Sequence, residues 1–342
     1  AGYLGIVFFF VLSGFVLTYT AREDDTTRRF YRRRAFKILP NHVVAFVLAL
    51  GVLVWAGRET DLTRVLTNLF LVQSWFPDET IITDTVNVVT WSLSAEVFFY
   101  ACFPALILLV RRFRPERLYF WAAGLVGAIV LVPVIAGTVL PDAPDMGFGT
   151  ETFTQIWSVY FFPVSRALEF VLGMVLARLV LTGRWRGPGL VVSALLVVGA
   201  YALSLQVPLL FQFVAVMVVP VALLIPAGAR ADVAGRRTVL STGPMVWLGE
   251  ISYAFFLLHY LVLSAGRLVM GGEPNEMGGI GGPAWSTPVG IAFLLGCMGV
   301  AVLLSWVLYT TVERPVMRRW SRPRRRPAAD RAVPSEQLQP AE

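Results

Sequence analysis

The chain has 342 residues, 56% of them hydrophobic and only 15% charged, with a formal net charge of +7. Ordinary soluble domains carry roughly 25% charged residues, so this composition argues against a soluble enzyme and for an all-α, polytopic membrane protein. Cys102 and Cys297 both fall in apolar runs, which leaves neither a disulfide framework nor a metal cluster.

Nine spans are expected, at about 3–20, 38–57, 92–110, 118–140, 158–182, 188–206, 208–227, 246–268 and 287–311. Arginine and lysine gather in alternate loops, from Arg22 to Lys37, Arg111 to Arg117, Arg178 to Arg186 and Arg230 to Arg237, and again after Arg314. The opposite loops carry Asp61, Asp78, Glu79, Asp84 and Glu273. The positive-inside rule then puts the basic loops in the cytoplasm and the first residue outside. The basic balance is topology, and the partner it implies is the lipid bilayer, not nucleic acid. One membrane domain is expected over 1–320, followed over 321–342 by a basic, proline-rich cytoplasmic tail of disordered composition.

In chain order, Gly2, Gly5, Ser13 and Gly14 punctuate the first span, and small residues there permit close helix contact. RRFYRRRAFKILP, residues 28–40, follows, with Arg29, Arg33 and Lys37 on one helical face and Arg34 three residues before Lys37. Such an array suits acidic lipid head groups or the phosphates of a soluble cofactor. Pro40 is expected to start or bend the second span, placing His42 near its cytoplasmic end. The outer loop from Gly57 to Thr90 is the longest, and its apolar patch Leu66–Phe76 suits a short amphipathic or re-entrant helix.

The third span opens with WSLSAEVFFYACFP, residues 91–104. Ser92, Glu96 and Tyr100 share one face of it. A carboxylate inside a membrane helix is costly unless it faces protein or water, which makes Glu96 a functional candidate. In the fifth span Arg166, Glu169 and Gly173 share a face near the outer side, where the pair either serves structure or helps position Glu96 or an acceptor. In VWLGEISYAFFLLHYLVL, Ser252 and His259 share a face, and His259 is the candidate for acid–base chemistry or substrate contact. The ninth span ends in YTTVERP, with Glu313 and Arg314 at the cytoplasmic edge.

GYLGIVFFFVLSGF, FYRRRAFKILP, WSLSAEVFFY, SRALEFVLGMVLA, LGEISYAFFLLH and VERP, in that order, resemble the acyltransferase-3 family of integral membrane acyltransferases. The resemblance implies a bundle of about ten membrane helices. It also implies transfer of an acyl group, often acetyl, from cytoplasmic acyl-coenzyme A to a hydroxyl of a glycan, lipid or small-molecule metabolite, with no permanently bound cofactor. It places Arg34 and Lys37, with Arg33 beside them, at the coenzyme A. The family has arginine at both positions of that pair, so Lys37 keeps the charge but loses the bidentate fork. Glu96 matches the family's functional acid and His259 its late-helix histidine. Ser92, Tyr100, Arg166, Glu169 and Ser252 are then expected along the acceptor path. The resemblance further implies a helix before Ala1 carrying the basic histidine, so that a truncated chain is expected. The rival reading is a transporter or flippase that uses Glu96, Arg166, Glu169 and His259 as a polar path.

Overall fold

The computed structural model describes residues 2–22, 25–141, 151–274, 279–282 and 284–321. All but the first residue of the expected tail, and parts of the glycine-rich loop before the last span, lie outside these. The helices are α1 (Gly2–Tyr19), α2 (Thr27–Trp55), α3 (Leu62–Leu69), α4 (Glu79–Thr83), α5 (Trp91–Arg111), α6 (Leu118–Val139), α7 (Phe153–Ile156), α8 (Pro163–Leu181), α9 (Leu190–Ser204), α10 (Leu209–Phe213), α11 (Ala215–Val233), α12 (Gly243–Val269) and α13 (Thr287–Leu308). Among the described residues, 6 helical segments are long and apolar enough to cross a membrane, and α1 and α9 supply shorter apolar helices. The protein is an all-α polytopic bundle, as expected.

The core forms where α1 lies along α8. A Cβ at Gly14 would strike the Phe170 carbonyl, and one at Gly173 would strike the Val11 carbonyl, so the two backbones touch through the glycines. Aromatic rings fill the space around this seam. Phe10 meets Phe99 edge-on at 5.0 Å, and Phe99 stacks on Phe170 at 5.1 Å.

Three expected boundaries shift. The basic stretch and the second span form one continuous helix, α2, which begins at Thr27 where the Thr26 hydroxyl accepts from the Arg29 amide. Pro40 is accommodated inside α2, and His42 stands in the middle of that helix. The fifth span is split by a π-helical turn, Trp157–Phe161, and the extended Phe162, and α8 restarts with Pro163 in its first turn. The seventh breaks at Val214 and then runs on to Val233.

The outer loop folds back against α2 and α12. His42 Nε2 lies 3.1 Å from the Leu69 carbonyl, at the end of α3. Asn68 Nδ2 reaches Thr85 and Thr90 hydroxyls at 3.0 Å, and Asn87 Nδ2 donates to the Leu257 carbonyl of α12 at 3.0 Å. Asn68 Nδ2 also donates to the Asn87 carbonyl at 3.2 Å, so a buried amide serves the irregular backbone of the loop. Leu71, beyond α3, holds a left-handed φ of 57° that glycine would take more easily. Its side chain is 3% exposed and packs among Ile38, Ala45 and Leu257, which fastens the loop to α2 and α12 at some cost in strain.

Candidate active site

Glu96 lies in the second turn of α5 and is 4% exposed. Its Oε1 accepts from the Ser13 hydroxyl of α1 at 3.2 Å and from the Tyr100 hydroxyl one turn along α5. Its Oε2 has no hydrogen-bond partner among the described residues and is not among the fully enclosed unpaired atoms. Arg34 reaches in from α2, with its guanidinium 5.6 Å from the centroid of the Tyr100 ring and 5.8 Å from that of Phe30. Among the described residues Arg34 forms no ion pair, and its buried Nε has no partner. Aromatic faces hold such a planar cation by attraction to the ring quadrupole.

One turn further along α2, Lys37 pairs with Glu313, which follows α13 in a π-helical turn and is 2% exposed. The other Glu313 oxygen accepts from Asn41. Lys37 Nζ also stands 5.7 Å from the centroid of Tyr253 on α12, whose hydroxyl donates to the Ile38 carbonyl at 3.0 Å. Arg34 and Lys37 both act electrostatically on Glu96. Polar groups from α1, α2, α5, α12 and the segment after α13 thus meet inside an apolar bundle.

A cavity of about 220 Å³ at the basic end borders this cluster at Arg34, which lines it. Tyr31 of α2 donates to the Ala101 carbonyl of α5 at 2.8 Å, and Phe30 stacks on Phe103 at 4.9 Å. Beyond these contacts α5 continues through Pro104, Ile107 and Leu108 to Arg111, which form the cavity wall together with Leu17. Arg22, Arg33, Arg34 and Arg111 give it a cationic rim, moderated by Asp25, which pairs with Arg33. The Arg33 hydrogen bond holds the Asp25 carboxyl below its usual range.

Of the residues singled out from sequence, Glu96, Tyr100, Arg34 and Lys37 come together. Arg33 lines the cavity but faces Asp25, and Lys37 is engaged by Glu313 instead of standing free for a phosphate. Ser92 donates to the Val89 carbonyl at 3.3 Å within its own segment. Ser252 is exposed and donates to the Gly249 carbonyl at 2.8 Å. His259 Nδ1 lies 2.8 Å from the Phe256 carbonyl, and its ring stacks on Phe255. Arg166 and Glu169 pair with each other at 2.9 Å, each 1% exposed, though the guanidinium nitrogens are not aligned for a hydrogen bond. Arg166 rests between the rings of Phe10 and Tyr160, at 5.0 and 5.5 Å. Glu96 is therefore partnered by Ser13, Tyr100 and Arg34, while Arg166 pairs with Glu169 and His259 Nδ1 faces carbonyls of its own helix. α8 turns its pair into the aromatic core.

Sequence reasoning passed over Ser13, Asn41, Tyr253 and Glu313 as site residues. Three of the four lay within quoted motifs: Ser13 in LSGF, Tyr253 in LGEISY and Glu313 in VERP. Each reads in isolation as packing or as a helix edge.

The profile of the acyltransferase domain family Acyl_transf_3 matches residues 1–310. The chain belongs to that family. It is 41% identical to the acyltransferase MdmB of Streptomyces mycarofaciens, over 98% of this chain and 85% of that protein. It is 30% identical to the exopolysaccharide production protein ExoZ of Rhizobium meliloti (strain 1021), over 93% of this chain and 90% of that one. No solved structure matches the chain. As a member of the acyltransferase family with membrane-spanning helices, the protein is a multi-pass membrane acyltransferase.

Proposed function

We propose that this acyltransferase takes an acyl group, typically acetyl, from acyl-coenzyme A at its basic end and transfers it to a hydroxyl of a glycan, lipid or secondary metabolite. The observation that carries the reading is that Arg34, which lines the arginine-rimmed cavity, also stands beside Tyr100, whose hydroxyl donates to Glu96. The phosphates of coenzyme A suit guanidinium forks, and the pantetheine arm suits the wall of Phe30, Phe103 and Ile107. Positive-inside orientation opens this cavity to the cytoplasm, where acyl-coenzyme A is found. The relative ExoZ is an exopolysaccharide production protein, which supports a glycan acceptor.

In the transfer, the acceptor oxygen attacks the thioester carbonyl, the carbon–oxygen bond forms and the carbon–sulfur bond breaks. The hydroxyl proton passes to a base and then to the departing thiolate. Glu96 offers Oε2 to orient the acceptor hydroxyl or that base, in the way a carboxylate orients imidazole. Ser13 and Tyr100 hold Oε1, which fixes the carboxylate plane. Lys37 is kept off the donor by Glu313 and sets the position of α2, leaving Arg34 as the cation nearest the thioester. Arg166 and Glu169 serve the core.

The test is thiol release from acetyl-coenzyme A by the reconstituted protein, with polysaccharide, lipid and metabolite acceptors in turn. Glu96→Gln is expected to lower kcat by about 10²–10⁴-fold, the range for loss of acid–base assistance. Undiminished turnover in that variant removes Glu96 from the mechanism. Solute uptake without consumption of any acyl-coenzyme A removes the donor assignment.

A further inference from the structure

A second basic recess, which shares no lining residue with the first cavity, lies between α9 and α11. Its volume is about 530 Å³, and its lining includes Trp185, Pro188, Val191, Arg230, Arg236 and Arg237. Trp185 is 5% exposed, and its carbonyl accepts from Arg230 Nη1 at 3.1 Å, which pins that guanidinium at the wall. No carboxylate pairs with Arg230, Arg236 or Arg237 among the described residues, and no acidic residue lines the recess. Beside the opening, α9 turns an apolar stripe outward: Val191 is 73% exposed, Leu195 66% and Val198 66%.

We propose that this recess binds the phosphate group of an anionic phospholipid, whose acyl chains lie along the exposed stripe of α9. A soluble phosphate ligand needs the cations but has no use for the apolar flank, whereas a lipid uses both. The basic end of the bundle is where a leaflet presents its head groups, and paired guanidinium groups match phosphate oxygens. The aliphatic stems of the arginines can lie on the bundle while their heads stay at the interface. The donor cavity is built from different helices, α1, α2 and α5, so the two basic sites take different ligands.

The experiment uses the whole protein in nanodiscs of phosphatidylcholine containing phosphatidylglycerol, with retained lipid counted by native mass spectrometry. Phosphatidylglycerol is expected to be retained in preference to phosphatidylcholine. Arg236→Ala/Arg237→Ala, which alters two exposed side chains, is expected to weaken that preference by about 25-fold, since each surface cation near a leaflet contributes about five-fold. Arg236→Lys/Arg237→Lys is expected to keep most of it. Retention of phosphatidylglycerol that is equal in wild type and the double alanine variant overturns the proposal. So does displacement of the lipid by inorganic phosphate or by coenzyme A at concentrations that saturate the donor site, which would make the recess a site for soluble phosphate. Thermal unfolding in pure phosphatidylcholine, expected to be the same for all three proteins, separates loss of the lipid site from misfolding.

Discussion

Arg34 lies with its guanidinium 5.6 Å from the centroid of the Tyr100 ring, and the hydroxyl of that same ring donates to Glu96. One tyrosine thus touches both a cation of the arginine-rimmed cavity that has no ion-pair partner among the described residues and the candidate acid. Replacing Arg34 by Lys keeps the charge but loses the planar stack. Donor KM is expected to rise about tenfold with kcat little changed, equivalent to about 1.4 kcal/mol. Tyr100→Phe leaves the ring and removes the hydrogen bond to the carboxylate, worth about 1.5–3 kcal/mol. Here kcat should fall by about ten- to a hundredfold while donor KM stays put, and steady-state kinetics with varied acetyl-coenzyme A reads the difference.

The Lys37–Glu313 pair predicts an asymmetry. Glu313 is 2% exposed and the Lys37 side chain 34%. Removing the lysine strands a buried carboxylate, whereas removing the carboxylate leaves an ammonium that can turn toward water. Lys37→Met is expected to destabilise by about 3 kcal/mol, near the low end for breaking buried pairs. Glu313→Gln, which keeps an acceptor for Asn41, is expected to cost about 1 kcal/mol. Lys37→Met/Glu313→Leu should recover much of the first loss, and thermal unfolding in detergent provides the double-mutant cycle.

The α1–α8 seam predicts position-specific intolerance. Gly14→Ala and Gly173→Ala each push a methyl into a facing backbone that cannot rotate aside. Each is expected to cost about 1–3 kcal/mol through overpacking. Gly5→Ala, on the same helix α1 with nothing within 4 Å of a built Cβ, should be silent. Thermal unfolding and yield of folded protein in membranes distinguish the three.

Asp25 predicts a pH window and a gain. Its carboxyl titrates below its ordinary value of 3.8, chiefly because Arg33 donates to it. The stability contributed by this pair is fully present above that value and is lost as pH falls through the lowered one. Donor KM should therefore show no limb from this group above about pH 5. Asp25→Asn frees Arg33 and removes a negative charge from the rim. It should lower donor KM by up to about fivefold, the scale of one partly exposed pair. A rise in KM would mean that Asp25 is needed to hold Arg33 in place.

Much of the fold was legible along the chain, because a lipid-spanning helix must be apolar over its whole length and its charges must collect outside. The helices α6, α9, α12 and α13 start within three residues of the expected positions for that reason. The start of α2 was misplaced because apolarity marks the part of a helix in lipid, while its cationic first turns are just as helical. Glu96, Arg34 and Lys37 were legible as charges that a bundle does not carry idly. Their partners were not legible, because helical spacing relates residues on one helix and is silent about which faces of two helices meet.

The amino-acid sequence by itself determined the class of protein, the family motifs and the alternation of basic and acidic loops, all of which follow from local composition against a bilayer. Only the tertiary structure decided that Lys37 is bound to Glu313, that Arg33 faces Asp25, and that Arg34 lies beside Tyr100 with no ion-pair partner among the described residues. Such pairings arise where residues far apart in the chain are brought together. They follow from the packing that glycine contacts, kinks and the folded-back outer loop impose on the helices.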